Sequence, residues 1–366
     1  MQSDSSRPDE DAGAQAPPPA PLRWADPARR SAFEAWLAPL APLHGLRMDT
    51  LRLASADASF RRYLRLDADR ARGAASRIIM DAPPPLEDVR PFVAVAGLIR
   101  AAGLNAPQVL AEDAQQGFLL LGDLGDRLML GALGEADAAG ADRLMREAMT
   151  TLVRFQAGVP AAALPAFGAA TLREELELFP QWCVQREHGI AWDAIQRAQW
   201  EQACTLLVDA LAAQPVVAAH RDWMPRNLML HEAGLGILDF QDAAAGPIAY
   251  DVVSMLRDAF MSWEEEREID WAIRYWEAAR RAGLPVDADF GDFWRALEWA
   301  GLQRHLRILG VFCRLKHRDG KPGYAEDLPR FFSYCTRVAM RYREFAPLLK
   351  LLEPMSGRAL QAGYTF

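Results

Sequence analysis

The sequence predicts an α+β chain in two unequal lobes, a small N-terminal β-sheet lobe with one helix and a larger, mostly helical C-terminal lobe. Three observations predict it. Short alternating runs crowd into the first third of the chain, a turn-rich joint at Gly122-Asp123-Leu124-Gly125-Asp126 follows the last of them, and beyond it apolar residues recur at helical spacing. With 366 residues, 51% hydrophobic and 25% charged, each lobe can bury its own core without a covalent staple.

Residues 1–24 read as a disordered tail, since acids and the prolines Pro17, Pro18, Pro19 and Pro21 stand where a signal peptide would carry a basic start and an apolar run. The lobe of 25–121 opens with a helix at about 32–42. Strands follow at 49–54, 59–66, 76–80, 108–111 and 117–121, interrupted by a helix at about 86–102 that Gly103 closes. Residues 122–126 form the hinge. In the lobe of 127–366, helices are expected at 138–157, 171–188, 194–213, 248–260, 264–282, 289–315 and 325–345. One strand-loop-strand-turn-strand insert at 216–240 breaks that pattern, turning at Glu232-Ala233-Gly234.

Composition excludes several classes of function. A formal charge of -8 argues against a general nucleic-acid or anionic-membrane binder, and no run of 18 uncharged apolar residues suggests a membrane span. Cys183, Cys204, Cys313 and Cys335 form no C-x-x-C pair, so neither a disulfide framework nor a zinc ribbon is indicated and a reducing cytoplasm fits. No obligate protein partner is evident. Lysine occurs only as Lys316, Lys321 and Lys350, so an anionic ligand of the first lobe must be met by arginine.

The insert carries the chemistry. It reads His220-Arg221-Asp222-Trp223-Met224-Pro225-Arg226-Asn227 and, after a strand, Leu238-Asp239-Phe240-Gln241-Asp242. The first part matches every fixed position of the kinase set H-R-D-x-x-x-x-N, and the second matches D-F-G at Asp and Phe. Phosphoryl transfer needs one carboxylate to orient and deprotonate the attacking hydroxyl, and an Asn and an Asp to hold Mg²⁺ across the nucleotide phosphates. Asp222 is therefore the catalytic candidate, Asn227 and Asp239 are the metal candidates, and ATP with Mg²⁺ is the expected cofactor pair. The blander reading makes all three turn or strand-end residues. A second triplet, His317-Arg318-Asp319, lacks the following Asn and sits where a long helix runs into Gly320, so it reads as a helix C-terminus or a substrate contact.

With Gly246-Pro247-Ile248-Ala249-Tyr250-Asp251 added, these motifs resemble the superfamily of aminoglycoside phosphotransferases and choline kinases, which have a bilobal protein-kinase-like fold. Ser59-Phe60-Arg61-Arg62-Tyr63, Met80-Asp81-Ala82-Pro83-Pro84-Pro85, Gly117-Phe118-Leu119-Leu120-Leu121 and His317 to Pro322 narrow the resemblance to the N-acetylmuramate/N-acetylglucosamine anomeric kinases, from about residue 25 onward. The resemblance implies ATP-dependent phosphorylation of the sugar's C1 hydroxyl to an α-1-phosphate, in bacterial peptidoglycan recycling. It also implies that Asp251 braces the catalytic loop; an ordinary helix-start acid is the alternative.

The chain departs from the general kinase pattern in two places. Strand three, ending at Met80-Asp81, offers no lysine for the nucleotide phosphates, and no glycine-rich loop stands near 55–62. Arg61 and Arg62 are the replacement candidates, on opposite strand faces so that only one can serve. Leu121 and Asp123 at the hinge are the further nucleotide-binding candidates, through their backbone. Asp81 reads as a strand end, with nucleotide contact the alternative, and Glu87 as a first-turn helix acid, with a phosphate-side partner the alternative. Arg304 to Lys321 gathers eight basic residues against Asp319 alone, which repels a polycationic acceptor and suits the lactyl carboxylate of N-acetylmuramate, with Arg314 and Arg318 the substrate candidates. A solvated basic face is the alternative. Trp182, Trp223 and Trp299 could stack on a sugar, although isolated tryptophans are more often core. Two other functions stay open: a different small-molecule kinase of the superfamily, and a nucleotide-binding pseudokinase.

Overall fold

Asp26 caps the first described helix by accepting from the Ala28 N–H, with Pro27 at the first helical position, where its missing N–H costs nothing. The computed structural model describes residues 22, 24, 26–56, 60–72 and 74–356. Apart from Leu22 and Trp24, the predicted tail lies outside the described residues. The chain divides into two compact units, one of residues up to 89 with 109–123, the other of 90–108 with 124 onward.

In the first unit, α1 (Pro27–Leu37) and α2 (Leu40–His44) precede a five-stranded antiparallel sheet. Its strands are β1 (Arg52–Ala56), β2 (Arg62–Asp67), β3 (Ser76–Asp81), β4 (Val109–Asp113) and β5 (Phe118–Gly122), in the order β1-β2-β3-β5-β4. Period-two alternation explains the core: Leu64 and Leu66 of β2, Ile79 of β3 and Phe118 and Leu120 of β5 meet Phe33 and Leu37 of α1. The helix expected at 32–42 starts five residues earlier, at the Asp-Pro cap, and breaks before Leu40. Gly117 turns the hairpin between β4 and β5 at φ 71°, where an added Cβ would lie 1.9 Å from the Ala82 carbonyl oxygen.

The second unit comprises α3 (Arg90–Ala101), α4 (Met129–Glu135), α5 (Ala138–Gly158), α6 (Ala169–Leu176), α7 (Ala194–Ala212), α8 (Tyr250–Leu256), α9 (Glu265–Arg281), α10 (Phe290–His317), α11 (Leu328–Arg341) and α12 (Ala346–Leu352). The helix expected at 171–188 is two pieces: α6 ends and a π-helical stretch, Phe179–Glu187, begins with Pro180, which cannot complete a regular ladder. The 28-residue α10 packs against that stretch, α8 and α11. The insert yields β6 (Val216–Ala219) and a two-stranded hairpin of β7 (Leu228–Met229) and β8 (Gly236–Ile237). The partner of β6 is β9 (Ala244–Pro247), which lies beyond the insert; its small residues Ala-Ala-Gly-Pro gave no strand signal. Among the described residues no helix is long and apolar enough to cross a membrane, and the four cysteines are buried thiols.

Candidate active site

The strand β6 delivers the chain to His220, and the first turn of α8 anchors the loop that begins there. Asp251 of α8 accepts from the backbone N–H groups of His220 (2.6 Å) and Arg221 (2.9 Å) with its two oxygens. Burial pushes the Asp251 carboxyl up against the pull of those donors and of Arg304. The His220 ring contacts the Leu238 carbonyl through Nε2 at 2.9 Å and lies near Phe155 and Trp223. Burial holds its pKa below the ordinary value, and because a carbonyl oxygen only accepts, Nε2 is the donor. The loop is thus tied to the end of the hairpin as well as to α8.

Two non-glycine residues in this segment have left-handed backbones, Arg221 at φ 73° and Asp239 at φ 58°. Such conformations cost of order 1–3 kcal/mol each and persist where the surroundings over-determine them. At Arg221 the surroundings are explicit. Its N–H is held by Asp251, its carbonyl accepts from Arg304 Nη1 at 2.7 Å, and its guanidinium pairs with Glu175 of α6 at 2.6 Å while lying over the Phe167 ring.

Asp222 then projects with 34% of its side chain exposed, and Oδ1 accepts from Arg304 Nη2 at 3.2 Å. Burial raises its carboxyl, but Arg304, Arg307 and His220 outweigh it and hold the group below the ordinary aspartate value. Asn227 ends a 3₁₀ turn, Pro225–Asn227, and its Nδ2 donates to the Asp222 carbonyl at 2.9 Å with Asp239 Oδ2 at 3.5 Å. Asp239 Oδ1 accepts from Gln241 Nε2 at 2.9 Å. The Asn227 amide and the Asp239 carboxylate are thus neighbours, and an amide oxygen and a carboxylate are hard donors of the kind that bind Mg²⁺ when phosphates and water complete the shell. Among the described residues no cluster of three His, Cys, Asp or Glu offers another metal site.

The basic stretch is divided among separate partners rather than forming one patch. Arg304, 2% exposed, serves the loop; Arg307 pairs with Glu175 at 3.0 Å; Lys316 and His317 share Glu187; Arg318 pairs with its neighbour Asp319 at the surface. Arg314 is half-buried, its Nε is sealed without a hydrogen-bond partner, and burial and nearby Arg318 lower its pKa. His317-Arg318-Asp319 is the C-terminus of α10, closed by Gly320 at φ 66°. Trp223 and Trp299 are core residues, at 0% and 6% exposure.

In the first unit, Arg62 and Arg29 both pair with Asp81, which ends β3 as expected. Arg61 pairs with Glu87 at 2.8 Å. Glu87 is therefore an ion-pair partner and not a first-turn helix acid: α3 begins only at Arg90, in the other unit. The Asp123 carboxylate binds Arg65 (2.7 Å) and Ser76 (2.7 Å), and Leu121 is buried. Sequence reasoning missed Glu175, which supports the loop without belonging to any motif, and gave no role to Gln241, which stands at the glycine position of D-F-G and donates to Asp239.

Residues 50–299 match the phosphotransferase enzyme family. The chain is similar to two proteins named N-acetylmuramate/N-acetylglucosamine kinase. The one from Pseudomonas aeruginosa is 48% identical over 299 residues, covering 82% of this chain and 86% of the relative. The one from Neisseria meningitidis is 45% identical over 318 residues, covering 86% and 94%. Among solved structures, the GDP complex of aminoglycoside 2'-phosphotransferase-IIIa superposes with a TM-score of 0.59 at 12% identity, covering 85% of this chain and 99% of that one. A Plasmodium vivax ethanolamine kinase gives 0.57 at 11%, covering 84% and 87%. At such identities these structures speak to the fold alone.

Proposed function

The chain belongs to the phosphotransferase enzyme family, and on that premise we propose that it is an ATP-dependent sugar kinase that phosphorylates the C1 hydroxyl of N-acetylmuramate and N-acetylglucosamine, giving α-1-phosphates in peptidoglycan recycling. The observation that carries the reading is the braced loop, which holds Asp222 and Asn227 next to Asp239 at the end of the hairpin, in a chain nearly half identical to kinases of that name. Asn227 and Asp239 are the residues that would hold Mg²⁺, which when bound offsets charge on the nucleotide phosphates. Asp222 orients the acceptor hydroxyl and takes its proton. Arg304 holds Oδ1, so the carboxylate meets the hydroxyl in one orientation. A carboxylate made less basic by arginine suits an acidic acceptor, and a hemiacetal hydroxyl is more acidic than an ordinary sugar alcohol.

Arg314 is the residue we assign to the lactyl carboxylate. It lies ten residues along α10 from Arg304, roughly 15 Å of helix rise, and a helical side chain leans back toward the N-terminal end. Unlike Arg307 and Arg318 it has no carboxylate within ion-pair distance among the described residues. The test is a coupled assay with both amino sugars. Asp222→Asn should lower kcat on both by roughly 10²- to 10⁴-fold with the melting temperature unchanged. Arg314→Ala should lower kcat/KM for N-acetylmuramate alone by roughly 10- to 150-fold, the equivalent of one charge-assisted hydrogen bond. Equal turnover of choline or kanamycin by the wild type would overturn the sugar assignment.

A further inference from the structure

A kinase that lacks the strand-three lysine still has to hold its nucleotide's phosphates with a cation, and the sheet separates the two arginines that the sequence leaves as alternatives. Arg62, the first residue of β2, stands across from Asp81 of β3 and bonds it. Asp81 is 1% exposed, and its other oxygen is taken by Arg29 of α1 at 2.6 Å. The Arg62 guanidinium also lies 4.3 Å from the centre of the Trp24 ring, which packs on Phe33 of α1. This arginine is therefore committed to the face of the sheet that α1 covers.

Arg61 goes the other way. Successive residues alternate, so Arg61 shares its face with Tyr63 and Arg65 of β2, Ile78 and Met80 of β3, and Leu119 and Leu121 of β5, which stand opposite one another in the register. There its Nε donates to Glu87 Oε2 at 2.8 Å, and Glu87 Oε1 accepts the Phe60 backbone N–H at 3.3 Å. Both side chains are mostly buried, at 14% and 12% exposure. Kinases place a lysine on the phosphates by pairing it with a glutamate. A guanidinium carries five N–H donors, enough to keep such a pair and bind a phosphate as well.

We propose that Arg61 is the phosphate-binding cation of the nucleotide site and that Glu87 is its positioning residue, the pair standing in for the absent lysine and its glutamate. The inference rests on the kinase reading above and assigns a part of it that the motifs leave open. Arg62 is then structural.

The experiment is calorimetric titration of the full chain with ADP and with adenosine at fixed Mg²⁺, because the ratio of the two affinities isolates the phosphates. Arg61→Ala should weaken ADP by roughly 10- to 150-fold, the range of one charge-assisted hydrogen bond, and leave adenosine within about twofold. Glu87→Gln should weaken ADP by about threefold or more, again sparing adenosine, and Arg61→Lys should recover part of the loss. Arg62→Ala should lower the melting temperature without moving the ratio. A ratio unchanged within about twofold in both Arg61→Ala and Glu87→Gln overturns the proposal, as does a phosphate-selective loss in Arg62→Ala. If Arg61→Ala fails to fold, Glu87→Gln and Arg61→Lys decide by the same ratio. Should the wild type show this binding pattern yet phosphorylate neither amino sugar, the sugar assignment falls and the phosphate site stands. Should it phosphorylate them while the ratio ignores Arg61, only the present inference falls.

Discussion

Among the described residues, Arg257 and Arg304 are the two arginines that the second unit buries, at 0% and 2% exposure, and both are tied to α10. Arg257 donates to Glu268 of α9 at 2.9 Å and to Glu298 of α10 at 3.1 Å, both 0% exposed. Arg337 and Arg341 of α11 and the Tyr342 hydroxyl close the cluster from outside. Every carboxylate there is enclosed by cations and donors. Arg304, six residues further along α10 than Glu298, faces one carboxylate that keeps a third of its surface open. The same chemistry gives a staple when sealed and a working site when one partner stays exposed. A buried ion pair is weak evidence for stability in itself, because desolvation offsets most of the attraction, yet removing one partner is costly.

That contrast can be broken at its sealed end first. Arg257→Met strips two buried glutamates of their central cation and should destabilise the fold by about 3–5 kcal/mol in urea titrations, with kcat of the remaining folded fraction near wild type. A loss below about 1 kcal/mol would mean that Arg337 and Arg341 suffice without it.

At the open end, Arg304→Met removes the donor to the Arg221 carbonyl and to Asp222, and should act mainly on kcat. A decrease of roughly 10- to 150-fold, with nucleotide affinity unchanged, is expected from the lost charge-assisted hydrogen bond to Asp222. Equal losses in nucleotide affinity and kcat would instead mark Arg304 as a fold element like Arg257.

The two ends also differed in how much the sequence disclosed. Strand runs and the catalytic loop were readable because their signals are local: alternation for β2 and β3, and fixed spacing from His220 to Asn227 with Asp239 beyond. The partners were not. Asp222 and Arg304 are 82 residues apart, Arg221 and Glu175 46, and Arg61 and Glu87 26. No periodicity joins such pairs, so eight basic residues in one stretch looked like one surface when Arg304, Arg307, Lys316 and Arg318 go to different carboxylates. Glu175 gave no signal beyond being an acid on a helix, and no motif singles out Arg257. Long-range ion pairing becomes visible only once packing has chosen which helix faces which.

The smallest expected effect lies beside Arg257, at Asp258. This carboxyl is 4% exposed, and burial pushes it up to about 6 although the backbone N–H groups of Ala259 and Phe260 and the charges of Arg304 and Arg330 pull it down. An acid whose folded value lies above its unfolded value of about 3.9 contributes stability that is fully present below that value and is lost as the pH rises through the folded one. About two pH units of separation set a ceiling near 3 kcal/mol. In Asp258→Asn the amide has no charge to desolvate, and among the described residues neither Asp258 oxygen has a hydrogen-bond partner to lose. The variant should therefore be more stable than wild type by roughly 1–2 kcal/mol at pH 7, within that ceiling, with the advantage shrinking as the pH falls from 6 to 4. Urea midpoints of both proteins, taken at half-unit steps across that window, measure it. A difference flat from pH 4 to 8 would mean that Asp258 ionises in the folded chain as readily as in the unfolded one. Its burial beside Arg257 would then carry no electrostatic cost.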